Sequence, residues 1–364
     1  MTDRVRALVD GYWWVEGPPS NRLVQRELIR RWALRHPDDE LVLVVPQAHV
    51  AQVRADHDVP EGIAIVGAKL RPHGLAVMAE YRSIARRVGV QVAMTHNFVP
   101  WGLPSVVFVH DVLFQEHPEW FTLGERLYLK PISFMLGRAD VVVTSSQHEA
   151  SRIERLNRGV AHVGAIGIAP DPRLTEGPGE RPRGLPDVDE FVLTVGRLNV
   201  RKNLSTTIAA TLRSGAIGTR RPLVVVGERD GRGPVFSREV HRAVETGAVV
   251  FPGRVTDDEL AWLYRHASLF VFLSLDEGFG LPPVEALAFG TPVVASDIAV
   301  FRETIGQHAR LVDPLDIDSA AAAIAARLRE PGGSTPVAPL SWDDAADALR
   351  AAVASVSGAG RAFR

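Results

Sequence analysis

Short apolar runs punctuate the first half of the chain: RVRALVD, ELVLVVP, IAIVG, VQVAMTH, VVFVHD and VVVTSS, with helically spaced apolar residues between them. Runs of this kind predict strands buried on both faces, the pattern of a parallel sheet joined by helical crossovers. The beat pauses and resumes with FVLTVG, PLVVVG, VVFPG, LFVFLS, TPVVAS and ARLVDP, which predicts a second α/β unit. Between the two lies APDPRLTEGPGERPRGLPDVD, where Pro and Gly recur too often for a helix or a central strand. It reads as an interdomain linker with the boundary near residue 175. The expected organisation is a Rossmann-like N-terminal domain over 1–175, a second over 176–340, and a helix with its tail over 341–364. SWDDAADALRAAVASV is that helix, with Ser341 as N-cap and acidic residues in its first turn. The loop EPGGSTPVAPL precedes it, and the tail from Ser357 is expected to fray.

Composition narrows the functional classes. A chain of 364 residues fits about two domains. The hydrophobic share of 46% and charged share of 23% are those of a globular protein, neither disordered nor membrane-embedded. With 41 Lys plus Arg against 43 Asp plus Glu, the net charge of -2 removes the global electrostatic case for nucleic-acid binding. Any anion site is therefore local. The absence of Cys excludes disulfide and thiolate chemistry, and the charges in MTDRVRALVDG break any export signal, so a cytoplasmic enzyme is expected. No apolar run approaches the roughly 20 residues of a membrane span, which leaves only peripheral contact at an inner membrane face.

The densest chemistry lies in LFVFLSLDEGFGLPPVEALAFGTPVVAS. A buried strand ends near Ser274, a loop carries Glu277 and two glycines, and a helix begins at Pro282 or Pro283, an arrangement suited to anions. Gly278 and Gly280 let backbone N–H groups approach a ligand, and Gly290 ends the helix. Glu285 is expected in the first helical turn, with Glu277 on the loop. Two carboxylates beside a phosphate cradle suit a ligand with a sugar at each end of a diphosphate. Each could instead be a dipole partner or a solvated loop residue. Upstream, VLTVGRLNVRKNL ends a strand at Gly196 and offers Arg197 and Lys202 at the sheet edge where open α/β sheets bind ligands. In isolation these are surface charges; beside the two glutamates they suit a diphosphate and can offset its charge on departure without a metal.

With these motifs the C-terminal half resembles the retaining GT-B glycosyltransferases of family four. That resemblance implies two Rossmann-like domains facing across a cleft, with the C-terminal helix returning to the N-terminal domain. It also implies that Glu277 contacts the donor sugar, Glu285 the nucleotide ribose, and Arg197 and Lys202 the diphosphate. Backbone at Gly278, Phe279, Gly280 and Leu281 joins them. FPGRVTDDELAWLY is similar as well, which implies Arg254 and Val255 beside the base pocket, although both could simply cap a strand. The implied co-substrate is a nucleotide diphosphate sugar, with no cofactor or metal and with front-face attack assisted by the leaving diphosphate.

In the N-terminal half, VVFVHDVLFQEHPEWF sets His110 and Asp111 at a strand end. A lone strand-end His is usually structural. The sequence of HD, HPEWF and RADVVVTSSQHEASRI resembles the family's mannosyltransferase-like branch, which implies that His110 lies near the reacting sugar. Asp111 and His117 read as structural, and Ser146 with Glu149 as a capping box. The N-terminus departs from the family: a glycine-rich loop is replaced by GYWWVEGPPSNRLVQRELIRR, leaving Gly17, with Asn21, on the acceptor side. Trp13 and Trp14 offer flat apolar surface there or belong to the core. Arg22, Arg26 and Arg30 form a basic face, solvated or touching anionic lipid.

A dinucleotide-dependent dehydrogenase is disfavoured, since no Gly-x-Gly-x-x-Gly turn follows RVRALVD. A non-catalytic sugar-nucleotide sensor, an epimerase and a phosphorylase remain as rivals on the same scaffold. GDP-mannose is the first donor expected from the resemblance, ahead of dTDP- and UDP-sugars. The acceptor is a polysaccharide, a lipid-linked intermediate or a small natural product.

Overall fold

A computed structural model describes residues 4–160, 163–228, 236–330 and 341–357. The expected loop over 331–340 and the tail beyond Ser357 lie outside them. The chain divides into two compact units. The first holds residues up to Glu116, Gly124–Ile168 and the C-terminal helix; the second holds His117–Leu123 and the chain from Ala169.

In the first unit, β1 (Arg6–Asp10), β2 (Glu40–Pro46), β3 (Ala64–Ala68), β4 (Val92–His96), β5 (Ser105–Phe108), β6 (Val141–Thr144) and β7 (Val163–Ala165) form one sheet in the order β3-β2-β1-β4-β5-β6-β7. Every neighbouring pair is parallel, as Val/Ile/Leu runs buried on both faces require. The apolar pattern did not single out β7: it is three residues, VGA, at the sheet edge, too short to stand out from its surroundings.

The second unit repeats the winding with β8 (Val192–Val195), β9 (Leu223–Val226), β10 (Val249–Gly253), β11 (Leu269–Phe272), β12 (Val293–Ser296) and β13 (Arg310–Val312), in the order β10-β9-β8-β11-β12-β13. Val192, Leu223, Leu269 and Val294 form its core together with Ile208 and Ile324 from the covering helices. In each sheet the strand order reverses beside the first strand, between β1 and β4 and between β8 and β11. Such a switch point opens a crevice at the carboxyl ends of the strands.

The C-terminal helix Trp342–Ser357 belongs to the first unit. Ser341 accepts from Asp343 N and Asp344 N at its start, and Trp342, Leu349 and Val353 are buried. Its acids meet helix Pro19–Arg35: Arg35 Nη2 lies 2.6 Å from Asp347 Oδ2, and Arg31 Nη1 3.4 Å from Asp343 Oδ1. Arg26, on another face, pairs with Asp58 at 3.2 Å and donates to Trp14 O. Of the expected basic face, Arg26 is therefore held across the fold, Arg30 pairs with Glu27 on the same helix at 3.4 Å, and Arg22 is half-buried.

The Pro/Gly-rich segment also differs from a free linker. Pro172–Glu176 is helical, Arg265 donates to Pro178 O (2.8 Å) and Gly177 O (3.1 Å), and Arg181 lies over the Trp262 ring. These contacts bind the segment to the second unit, whose chain resumes at Ala169, close to the boundary expected near 175. Among the described residues no helix is long and apolar enough to cross a membrane.

Candidate active site

The second unit's switch point gathers charge. After β8 the chain passes Gly196 and Arg197 into a 3-10 turn, Val200–Lys202, whose Asn199 N-cap accepts from Lys202 N. That turn aims two cations at the loop after β11. Lys202 Nζ donates to Glu277 Oε1 at 2.6 Å, and Ser274 Oγ donates to the same oxygen at 2.5 Å. Arg201 Nη1 pairs with Glu277 Oε2 and donates to Asp276 O at 3.1 Å. Arg201 was not singled out in the sequence, although it stands directly before Lys202 in NVRKNL.

Burial alone would raise the Glu277 carboxyl; Arg201 and Lys202 overcome it and hold the group down at about 2. Burial lowers Lys202 to about 8, with Arg201 and Arg197 adding repulsion and Glu277 opposing them. Arg197 is thus within electrostatic reach of Lys202. Arg201 and Lys202 thus bracket Glu277, with Arg197 and Glu285 as further charged neighbours of Lys202.

The loop then runs through buried Gly278 and Phe279 to Gly280, which adopts φ 87° as N-cap of helix Leu281–Ala288. A Cβ on Gly280 would come within 2.2 Å of Phe301, so both backbone and space demand glycine. Pro282 and Pro283 occupy the helix start, one residue into it, and Gly290 follows with φ 74°. Glu285 is the fifth helical residue, so it sits in the second turn and not the first. Its Oε2 accepts from the Tyr264 hydroxyl at 2.8 Å. Burial pushes Glu285 up to about 7; the Tyr264 bond and Lys202 lower it, while Asp171 and Asp257 raise it. Glu277 and Glu285 therefore share Lys202 as an electrostatic neighbour without being bonded to one another. Arg254 is exposed and Val255 half-buried in the turn between β10 and the Thr256–Glu259 capping box.

In the first unit His110 follows β5. Its Nε2 is buried with no partner among the described residues, and Trp13 covers the ring at 4.7 Å. Burial, then His96, lowers His110 to about 3, so it is neutral. Trp13 and Trp14 are core residues at 5% and 0% exposure, which resolves their role: Trp13 packs on His96 at 4.1 Å and Trp14 donates to Asp56. Gly17 is exposed at φ 91°, where a Cβ would strike the Trp13 ring at 2.7 Å, and Asn21 is half-buried. Asp111 accepts from Leu113 N, and His117 stacks on Trp120 at 3.9 Å. Ser146 caps Glu149 N, and the Glu149 carboxylate accepts from Val112 N and pairs with Arg152.

The first unit's own switch point holds a network that the sequence reading passed over. Asp10, fully buried at the end of β1, accepts from His73 Nε2 (2.8 Å), the Tyr81 hydroxyl (2.8 Å), Tyr12 N (3.1 Å) and His96 N (3.3 Å). Burial raises Asp10, but His73 outweighs it and the group is held at about 2. Its partners lie up to 86 residues away, beyond any local motif.

Residues 180–338 match the family described as Glycosyl transferases group 1. The O-antigen chain mannosyltransferase B of Escherichia coli is 29% identical over 237 residues, 62% of this chain and 61% of that protein. The serotype-specific mannosyltransferase WbdA of Escherichia coli is 25% identical over 336 residues, 86% of this chain and 39% of that protein. The matched stretches thus span about three fifths and two fifths of these curated relatives. The sucrose-phosphate synthase of Thermosynechococcus elongatus shares the fold with a TM-score of 0.65 at 19% identity, over 98% of both chains. Anabaena HepE, solved in complex with UDP-glucose, does so at 0.59 and 17% over 89% of this chain and 94% of that one. The pair of Rossmann-like parallel sheets is the GT-B architecture.

Proposed function

We propose that this chain, whose residues 180–338 form a Glycosyl transferases group 1 domain, transfers mannose from GDP-mannose to an acceptor hydroxyl with retention of anomeric configuration. The observation that carries this reading is the cluster of Arg197, Arg201 and Lys202 around Glu277 at the β8/β11 switch point. Its cations suit a nucleoside diphosphate, and the charge that builds on that group as the glycosyl bond breaks is met by fixed cations. A metal is not needed for that neutralisation in this reading, so transfer should persist with a chelator present. Glu285, beside Tyr264, suits paired ribose hydroxyls, and Glu277 suits a hydroxyl of the donor sugar. Neutral His110 offers an unsatisfied ring nitrogen to a sugar hydroxyl. Mannose is favoured because both Escherichia coli relatives are named mannosyltransferases.

The test is a thermal-shift comparison of GDP, UDP, ADP and dTDP, followed by GDP release and product NMR with GDP-mannose. Selective stabilisation by GDP that is lost in Glu285→Ala, with an α-linked product, supports the reading. Stabilisation by UDP or dTDP would move the donor to those sugars, and nucleotide binding without GDP release would make the chain a sensor.

A further inference from the structure

The first unit contains a cavity of about 420 Å³, in the size range of small-molecule sites, that the donor reading does not use. Its lining includes the aliphatic Val45, Ala68 and Ala76 and the aromatic Tyr12 and Tyr128. Leu70 and Tyr128 stand at its lining with 41% and 40% exposure, so large apolar groups there face solvent.

The polar groups on the wall are mostly committed elsewhere. Tyr81 donates to Asp10, and Arg71 pairs with Glu16 at 3.2 Å. His73 gives Nε2 to Asp10, and its ring is clamped by Tyr12, stacked at 4.0 Å, and by the edge of Phe98. Since Asp10 is held as a carboxylate, Nε2 carries the shared proton, and Nδ1 is left for a ligand. A pyranose carries hydroxyls all round its ring, and most would be desolvated against aliphatic carbon without a partner. A ligand with an apolar body and one or two hydrogen-bonding groups fits the wall better.

We propose that this cavity binds the hydrophobic aglycone of the acceptor, an alkyl or aryl group, with His73 Nδ1 taking a single polar atom next to it. The word acceptor rests on the transferase reading; the binding does not. Isothermal titration of the full chain with methyl, hexyl and 4-nitrophenyl α-mannosides, without nucleotide, tests it. Each buried methylene contributes about 0.8 kcal/mol, so hexyl and 4-nitrophenyl mannosides should bind at least about tenfold more tightly than the methyl glycoside. Ala76→Leu adds bulk to the lining, and Leu70→Asp, at an exposed position that spares folding, charges it. Both should erase the preference while leaving the GDP-induced thermal shift intact. Equal binding of the three glycosides, or a preference that survives in Leu70→Asp, overturns the proposal. Loss of preference in the variants with no transfer from GDP-mannose keeps the cavity and removes the transferase reading; transfer without aglycone preference does the reverse.

Discussion

The two sheets are wound alike, yet their switch points are furnished in opposite ways. Between β8 and β11 the cations Arg201 and Lys202 bracket Glu277: burial raises that carboxyl but the two cations pull it down, while Lys202 is lowered first by burial and then by Arg201 and Arg197. Between β1 and β4 lies the Asp10 carboxylate among histidine and tyrosine rings, with His96 lowered to about 4 by burial and both of its ring nitrogens unpartnered among the described residues. Under the two proposals above, the same winding would serve two ligand chemistries. The winding supplies a crevice and exposed loop ends; the side chains decide whether it attracts a polyanion or an apolar body.

The sharpest way to break this contrast is Lys202→Ala, which removes a fixed cation from the proposed diphosphate side. Turnover should fall about 100- to 1000-fold, measured as GDP release, with the melting temperature of the ligand-free protein nearly unchanged. Full activity in this variant would show that the charge cluster does not serve the reaction.

Next in size is a pair of isosteric changes. Glu277→Gln leaves Arg201 and Lys202 facing each other without their anion and should cost about 3 kcal/mol in urea unfolding. Asp10→Asn sets an NH2 group against two of the donors that the second carboxylate oxygen accepts and should cost about 1–3 kcal/mol. The two are separated by nucleotide: GDP should stabilise Asp10→Asn as fully as the parent protein. Loss of that response would mean that the two regions are not independent.

The smallest effect is a difference of sign with pH. Glu285 is raised to about 7 in the fold, so the folded state holds its proton more tightly than the unfolded chain does. Its contribution is present below the ordinary carboxyl range and is lost as pH rises through about 7. Asp10 behaves oppositely, contributing above its ordinary value and losing that contribution as pH falls through about 2. Glu285→Gln should thus raise the ligand-free melting temperature at pH 8 by a few degrees and change little at pH 4. A variant melting below the parent at pH 8 would show that the ionised carboxylate is better satisfied than its burial implies.

How much of this was legible beforehand depended on distance along the chain. The Glu277 loop and the Lys202 turn were readable because strand, loop and helix start follow one another within a few residues, and Gly280 and Gly290 mark the backbone turns. Arg201 lies in the same window, but its pairing with Glu277 spans 76 residues and is set by the fold. Tyr264 was out of reach, since it meets Glu285 across 21 residues, and so was His73, 63 residues from Asp10.

The apolar runs and Gly/Pro breaks by themselves determined two parallel-sheet units, their strand sequence and the local turns, because burial of both strand faces imposes a pattern on consecutive residues. Only the tertiary structure decided that Trp13 and Trp14 are core, that Arg31 and Arg35 meet Asp343 and Asp347 of the C-terminal helix, and that Asp10 is solvated by His73 and Tyr81. The reason is physical: desolvation and side-chain pairing depend on everything that arrives within a few ångströms, whatever its place in the chain.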